Sequence, residues 1–150
     1  MVCAAALWAC NDSTTPAAPS QLTRLTVTGR WIGDLTFQDV TGRMTWTLTQ
    51  NGTAVTGPVT IGLPSGTVLL NGTLTGTLDG SALAYTIAVA PNGIPTQPTC
   101  MGQLGGTVTV SPGTNPTMAG SIAIMSANCS ILFSGTSFTL TRQTASVGQP

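Results

Sequence analysis

The side chains that ordinarily perform acid–base or nucleophilic chemistry are scarce in this chain. Its 150 residues contain no His, and the charged side chains are four Arg and four Asp. Without His, Glu or Lys, a Ser hydroxyl has no ordinary general base. The carboxylates do not pair either. Asp34 faces outward by strand alternation, Asp39 sits in a turn, and neither pairs with Asp79 as glycoside hydrolysis requires. These residues predict a protein that is not an enzyme and has no catalytic residues and no cofactor. Four cysteines remain, Cys3, Cys10, Cys100 and Cys129. The two in the body of the chain, with no His to join them, lack the ligand count for zinc, so no metal site is expected.

A net charge of zero gives no electrostatic footprint for phosphates and no attraction to an anionic bilayer, which argues against nucleic acid as a partner. The length suits one domain, which at this size buries roughly two thirds of its unfolded surface. Hydrophobic residues make up 41 %, and the polar remainder is rich in Thr, Gly, Pro and Asn. Thr suits a pleated surface and the other three suit turns, so the composition is that of a β protein.

From residue 29 onward, apolar and polar residues alternate with period two. Met44, Trp46 and Leu48 alternate with Thr45, Thr47 and Thr49, and Leu83, Tyr85, Ile87 and Val89 repeat the pattern. Asn51-Gly52 and Asp79-Gly80 mark two-residue hairpin turns. The spacing predicts eight strands, near 29–37, 43–50, 53–61, 66–78, 81–90, 100–110, 117–125 and 130–142. Connections this short make neighbours in sequence neighbours in space. Five strands place a glycine between inward apolar residues, at Gly33, Gly57, Gly76, Gly106 and Gly120. Glycine weakens a flat strand, so its repetition at one depth predicts bending. The expected fold is all-β, an eight-stranded antiparallel up-and-down closed β-barrel spanning 29–142. A phase shift between Phe133 and Phe138 predicts a bulge near Gly135.

The N-terminus has a different character. Leu7-Trp8-Ala9-Cys10 resembles the lipobox of bacterial lipoproteins, in which the cysteine receives diacylglycerol. The resemblance implies that residues 1–10 are a truncated signal peptide starting downstream of the true start, that Cys10 is the lipidation site, and that Cys3 leaves with the signal. Residues 11–28 are then a flexible tether and 143–150 a disordered tail. The implied location is the bacterial cell envelope, at the outer membrane or cell surface, with membrane contact through the lipid anchor alone. Such a compartment permits a disulfide between Cys100 and Cys129. A hairpin folded about Ser111 to Pro116 brings these two nearly opposite, and the loop closed is worth roughly 3 kcal/mol by chain entropy.

Gly29-Arg30-Trp31 at the start of the first strand and Arg142 at the end of the last resemble the calycin superfamily of lipocalins, fatty-acid-binding proteins and avidins. The resemblance implies that Trp31 closes one end of the barrel beneath Arg142. The short loop Gln38 to Gly42 and the lack of a following helix fit avidin-like compactness better than a lipocalin. The avidins' biotin-binding side chains have no counterparts here. Alternating strand directions place the tether, the two Gly turns and Arg142 at one end. Loops 38–42, 62–66, 91–99 and 126–129 then lie at the other, distal end, where binding residues tend to sit.

Two functions fit this outline. In the first, the distal mouth takes a small apolar or amphipathic ligand, lined by Phe37, Met44, Trp46, Tyr85 and Phe133. In the alternative, similar to calycin-like protease inhibitors, the distal loops bind a partner protein over a filled barrel. A membrane-spanning barrel fits poorly, because aromatic girdles are missing and the glycines would become gaps facing lipid. Mass mapping without reduction, on protein from a host that processes lipoproteins, is expected to show diacylglyceryl Cys10 and a Cys100–Cys129 cross-link. Free thiols at 100 and 129 would contradict the topology.

Overall fold

The computed structural model describes residues 24–144. Cys3, Cys10, the lipobox and most of the expected tether and tail lie outside these residues. Eight strands follow in order: β1 Gly29–Phe37, β2 Val40–Asn51, β3 Ala54–Gly62, β4 Val68–Asp79, β5 Ala82–Val89, β6 Gly102–Ser111, β7 Thr117–Ala127 and β8 Thr136–Arg142. Each pairs antiparallel with its sequence neighbour, and β8 returns to β1, closing the barrel. The up-and-down order follows from the turns. Gly52 and Gly80 take the left-handed conformation that two-residue hairpins need, with φ of 64° and 57°.

The first connection is tighter than the sequence suggests. Phe37 pairs with Val40, leaving only Gln38 and Asp39 in the turn, both left-handed at φ 44° and 64°. That is the primed hairpin geometry without its usual glycine. The last strand is shorter than expected. Residues 130–135 leave the sheet instead of opening β8, and Gly135, at φ 74°, turns the chain back into the barrel. The phase shift in the sequence is therefore a turn rather than a bulge. A bulge does occur in β7. Gln103 pairs with Ser126 but Leu104 with Ile124, so Met125 is the unpaired extra residue.

The inward glycines sit where strands press backbone against backbone. A Cβ at Gly57 would run into the carbonyl oxygen of Thr47, and one at Gly106 into that of Ser121. Both positions fall in ladder gaps: β2 and β3 skip from Trp46↔Val59 to Thr49↔Thr56, and β6 and β7 from Gly105↔Ala123 to Val108↔Gly120. The sheet coils hardest at these places, and only a residue without a side chain permits the approach.

Inside, alternate residues of all eight strands form one apolar core containing no buried polar or charged residue among those described. Packing begins before β1. Val27 is fully buried, and Gln50 straps the segment to the barrel, accepting from Val27 N at 2.8 Å and donating to Leu25 O at 3.3 Å. Trp31 is also fully buried, with its Nε1 donating to Val27 O at 2.8 Å. The Arg142 guanidinium lies 5.9 Å from the Trp31 ring centroid and donates to Thr28 O. Gly29 makes room for it, since a Cβ there would stand 3.1 Å from Arg142 Nε.

These contacts close the end of the barrel where the chain enters and leaves. Trp31→Ala is expected to cost about 3–5 kcal/mol through the cavity it opens. Arg142→Ala is expected to cost less, through lost stacking and packing on the ring. In a double-mutant cycle followed by denaturant unfolding, the two costs should be less than additive. Full additivity would show that the residues act separately.

Candidate functional site

The five residues proposed to line a ligand site, Phe37, Met44, Trp46, Tyr85 and Phe133, all point into the barrel and are at most 8 % exposed. The structure separates them into two groups. Trp46 meets Tyr85 edge-on at 4.9 Å and Phe138 at 5.5 Å, filling the middle of the barrel. Met44, fully buried, is one inward step nearer the distal end on β2. Phe37 and Phe133 meet edge-on at 4.5 Å across the distal mouth.

Two polar atoms accompany the central group. The Tyr85 hydroxyl reaches over Gly106, 3.3 Å from where a Cβ would stand, and donates to Ser121 O at 2.9 Å. Strand coiling leaves that carbonyl outside the β6–β7 ladder pairs, and the phenol satisfies it. Burial pushes the Tyr85 phenol well above its ordinary pKa. Trp46 Nε1, by contrast, is a buried side-chain donor with no partner.

The mouth itself is shut by Phe133, placed there by the sequence, and by two residues beside it. Ile94 from the loop after β5, and Ile131 with Phe133 from the segment before β8, are all buried in the core. Ile94 carries a weak signal, as the one large apolar residue in a Pro-, Gly- and Thr-rich loop. The loop's backbone is bonded within itself and to β4: Asn92 N donates to Pro98 O at 2.7 Å, Gln97 N to Ile94 O at 2.9 Å, and Asn71 N on β4 to Gly93 O at 2.7 Å. Asn92, left-handed at φ 67°, makes the turn.

The Cys100–Cys129 disulfide, with Cα atoms 5.4 Å apart, staples this loop to the chain after β7. Asn128 reinforces the staple, accepting from Met101 N at 2.7 Å and donating to Thr99 O at 3.3 Å, and Gln97 Nε2 donates to Ser130 O at 3.0 Å.

Around the stapled mouth stand Val40, Met101, Met125 and Leu132, large apolar side chains between 41 % and 62 % exposed. The bulge explains Met125, whose sulfur lies over Gly105 on the outer wall. Little charge reaches this end. Asp39 occupies the β1–β2 turn, while Asp34 and Arg43 form an exposed pair at 3.3 Å, worth at most about 1 kcal/mol. The chain matches no family model, no curated protein and no solved structure.

Tyr85 is the chain's single tyrosine, so its ionisation can be followed alone. The fold holds the phenol neutral, whereas the unfolded chain loses that proton near pH 10. Stability tied to the neutral phenol is therefore intact below about pH 10 and lost as pH climbs above it. The phenolate absorbance is expected to rise only together with loss of the β circular-dichroism signal, and Tyr85→Phe should remove this alkaline transition. A phenolate band with a midpoint near pH 10 in a still-folded barrel would contradict the packing described.

Proposed function

We propose that this chain is a lipid-anchored binding domain of the bacterial cell envelope, a calycin-like barrel that docks another protein on its distal rim. The observation that carries this reading is the closed mouth. Ile94, Ile131 and Phe133 fill the opening, and the disulfide and Asn128 fix the loops that hold them. Loops locked in one shape lose little entropy on binding, which favours their use as a docking surface. Apolar side chains on a rigid, nearly uncharged rim are the expected centre of a protein interface.

The anchor follows from the lipobox resemblance at Cys10. With the chain entering the barrel at the Trp31 end, a tether before the packed segment 25–28 leaves the distal rim facing away from the membrane. A small apolar or amphipathic ligand inside the barrel is the second reading. What favours it is the unpartnered Trp46 Nε1, which an acceptor on such a ligand would satisfy.

Native mass spectrometry of the protein from its own host separates the two. The expected species is a complex with another protein, without a small adduct. Met101→Asp combined with Val40→Asp should weaken that complex about tenfold or more without lowering the melting temperature. Because the rim carries little charge, the affinity should change little between low and high salt. A retained small apolar molecule, with no protein partner, would overturn the docking reading in favour of the second.

A further inference from the structure

The zero net charge of the chain conceals a separation of charge between the two ends of the barrel. Arg43 stands toward the distal end and is paired with Asp34 at 3.3 Å, and Asp39 occupies the turn beyond them. The other three arginines, Arg24, Arg30 and Arg142, lie at the end where the chain enters, and none has an ion-pair partner among the described residues. Asp79, the last residue of β4, is the one described carboxylate at that end. Asp12 lies outside the described residues.

Two open clefts carry these arginines, and both include Arg142. One, of about 760 Å³, runs between Arg30 and the β6–β7 loop at Gly113, Thr114 and Pro116. The other, of about 990 Å³, runs between Arg24 to Thr26 and the turns that end β4 and β6. Leu25, Pro112 and Pro116, each at least partly exposed, give this second cleft apolar walls. Arg142 is fixed by barrel closure, with one N–H on Thr28 O and its guanidinium over Trp31. Its other N–H groups have no partner among the described residues. Arg24 and Arg30 are exposed and take no part in the closure, so the closure does not account for them.

An anionic lipid surface complements both the charge and the apolar walls of this end. Each Arg brought within a Debye length of anionic headgroups strengthens partitioning about fivefold, and its planar fork matches a phosphate. Apolar side chains beside such arginines rest at the boundary between headgroups and acyl chains. One aspartate among three arginines reduces this attraction without cancelling it. We propose that the entry end of the barrel is a membrane-contact face, on which Arg24, Arg30 and Arg142 meet lipid phosphates while Leu25, Pro112 and Pro116 sit at the acyl boundary. The contact is separate from docking on the distal rim and needs no lipid on Cys10.

The test uses the full chain with Cys10→Ser, so that no attached lipid contributes. The protein is sedimented with vesicles of phosphatidylcholine, alone or with about one third phosphatidylglycerol. Binding is expected to the anionic vesicles, weaker at high salt, with slowed amide exchange at residues 24–26 and 113–114. Arg24→Gln combined with Arg30→Gln should weaken it about tenfold or more without lowering the melting temperature. Arg43→Gln removes the same charge from the distal end and should change binding little. The proposal is overturned if the protein binds neither kind of vesicle or both equally, or if Arg43→Gln weakens binding as much as the entry-end pair. It is equally overturned if inorganic phosphate releases the protein where chloride of the same ionic strength does not, which would assign the arginines to a soluble phosphate.

Discussion

The fold depends on the sheet bending far enough to meet itself. An open sheet with so little charge would leave long strand edges with none of the lysines or inward charges that ordinarily keep such edges apart. Closure removes that edge but forces neighbouring backbones together, at Gly33, Gly57, Gly106 and Gly120 among other places. The aromatic core follows from the same constraint. With no side chain at Gly106, the Tyr85 hydroxyl crosses β6 to bond a carbonyl on β7, and that places its ring against Trp46.

The two ends of the barrel are closed by different means. At the end where the chain enters, closure is built from polar reach onto backbone: Trp31, Arg142 and Gln50 each bond carbonyls or amides of the segment before β1. At the distal end, apolar side chains drop into the mouth and covalent and amide staples hold their loops in place. The first kind of closure belongs to the sheet itself, while the second is added on top of it. Among the described residues, the exposed large apolar side chains, Val40, Met101, Met125 and Leu132, accordingly stand at the second.

Strand number, order and inward glycines were legible in the sequence because they are properties of a two-residue period, which needs no knowledge of neighbours. The cysteine pairing was legible once the hairpin register was known. The plug was legible only at Phe133. Ile131 and Phe133 sit at strand-like spacing, and only the curvature of the closed barrel turns them over its mouth. The tight Gln38-Asp39 turn was hidden because neither residue is the glycine that usually marks it. Nothing in the sequence marked Gln50, since its strapping role exists only when Leu25 and Val27 arrive beside it.

The strap at Gln50 also decides how the domain meets mechanical load. A pull on the chain from its N-terminal side reaches the barrel at Val27 and runs along the axis of β1, which is joined to β2 by nine residue pairs. Antiparallel hydrogen bonds lie perpendicular to the strands, so such a pull shears the whole ladder at once instead of unzipping it pair by pair. The domain is therefore stiffest along the line from Val27 to its distal rim, where a pull is resisted by every bond of that hairpin together.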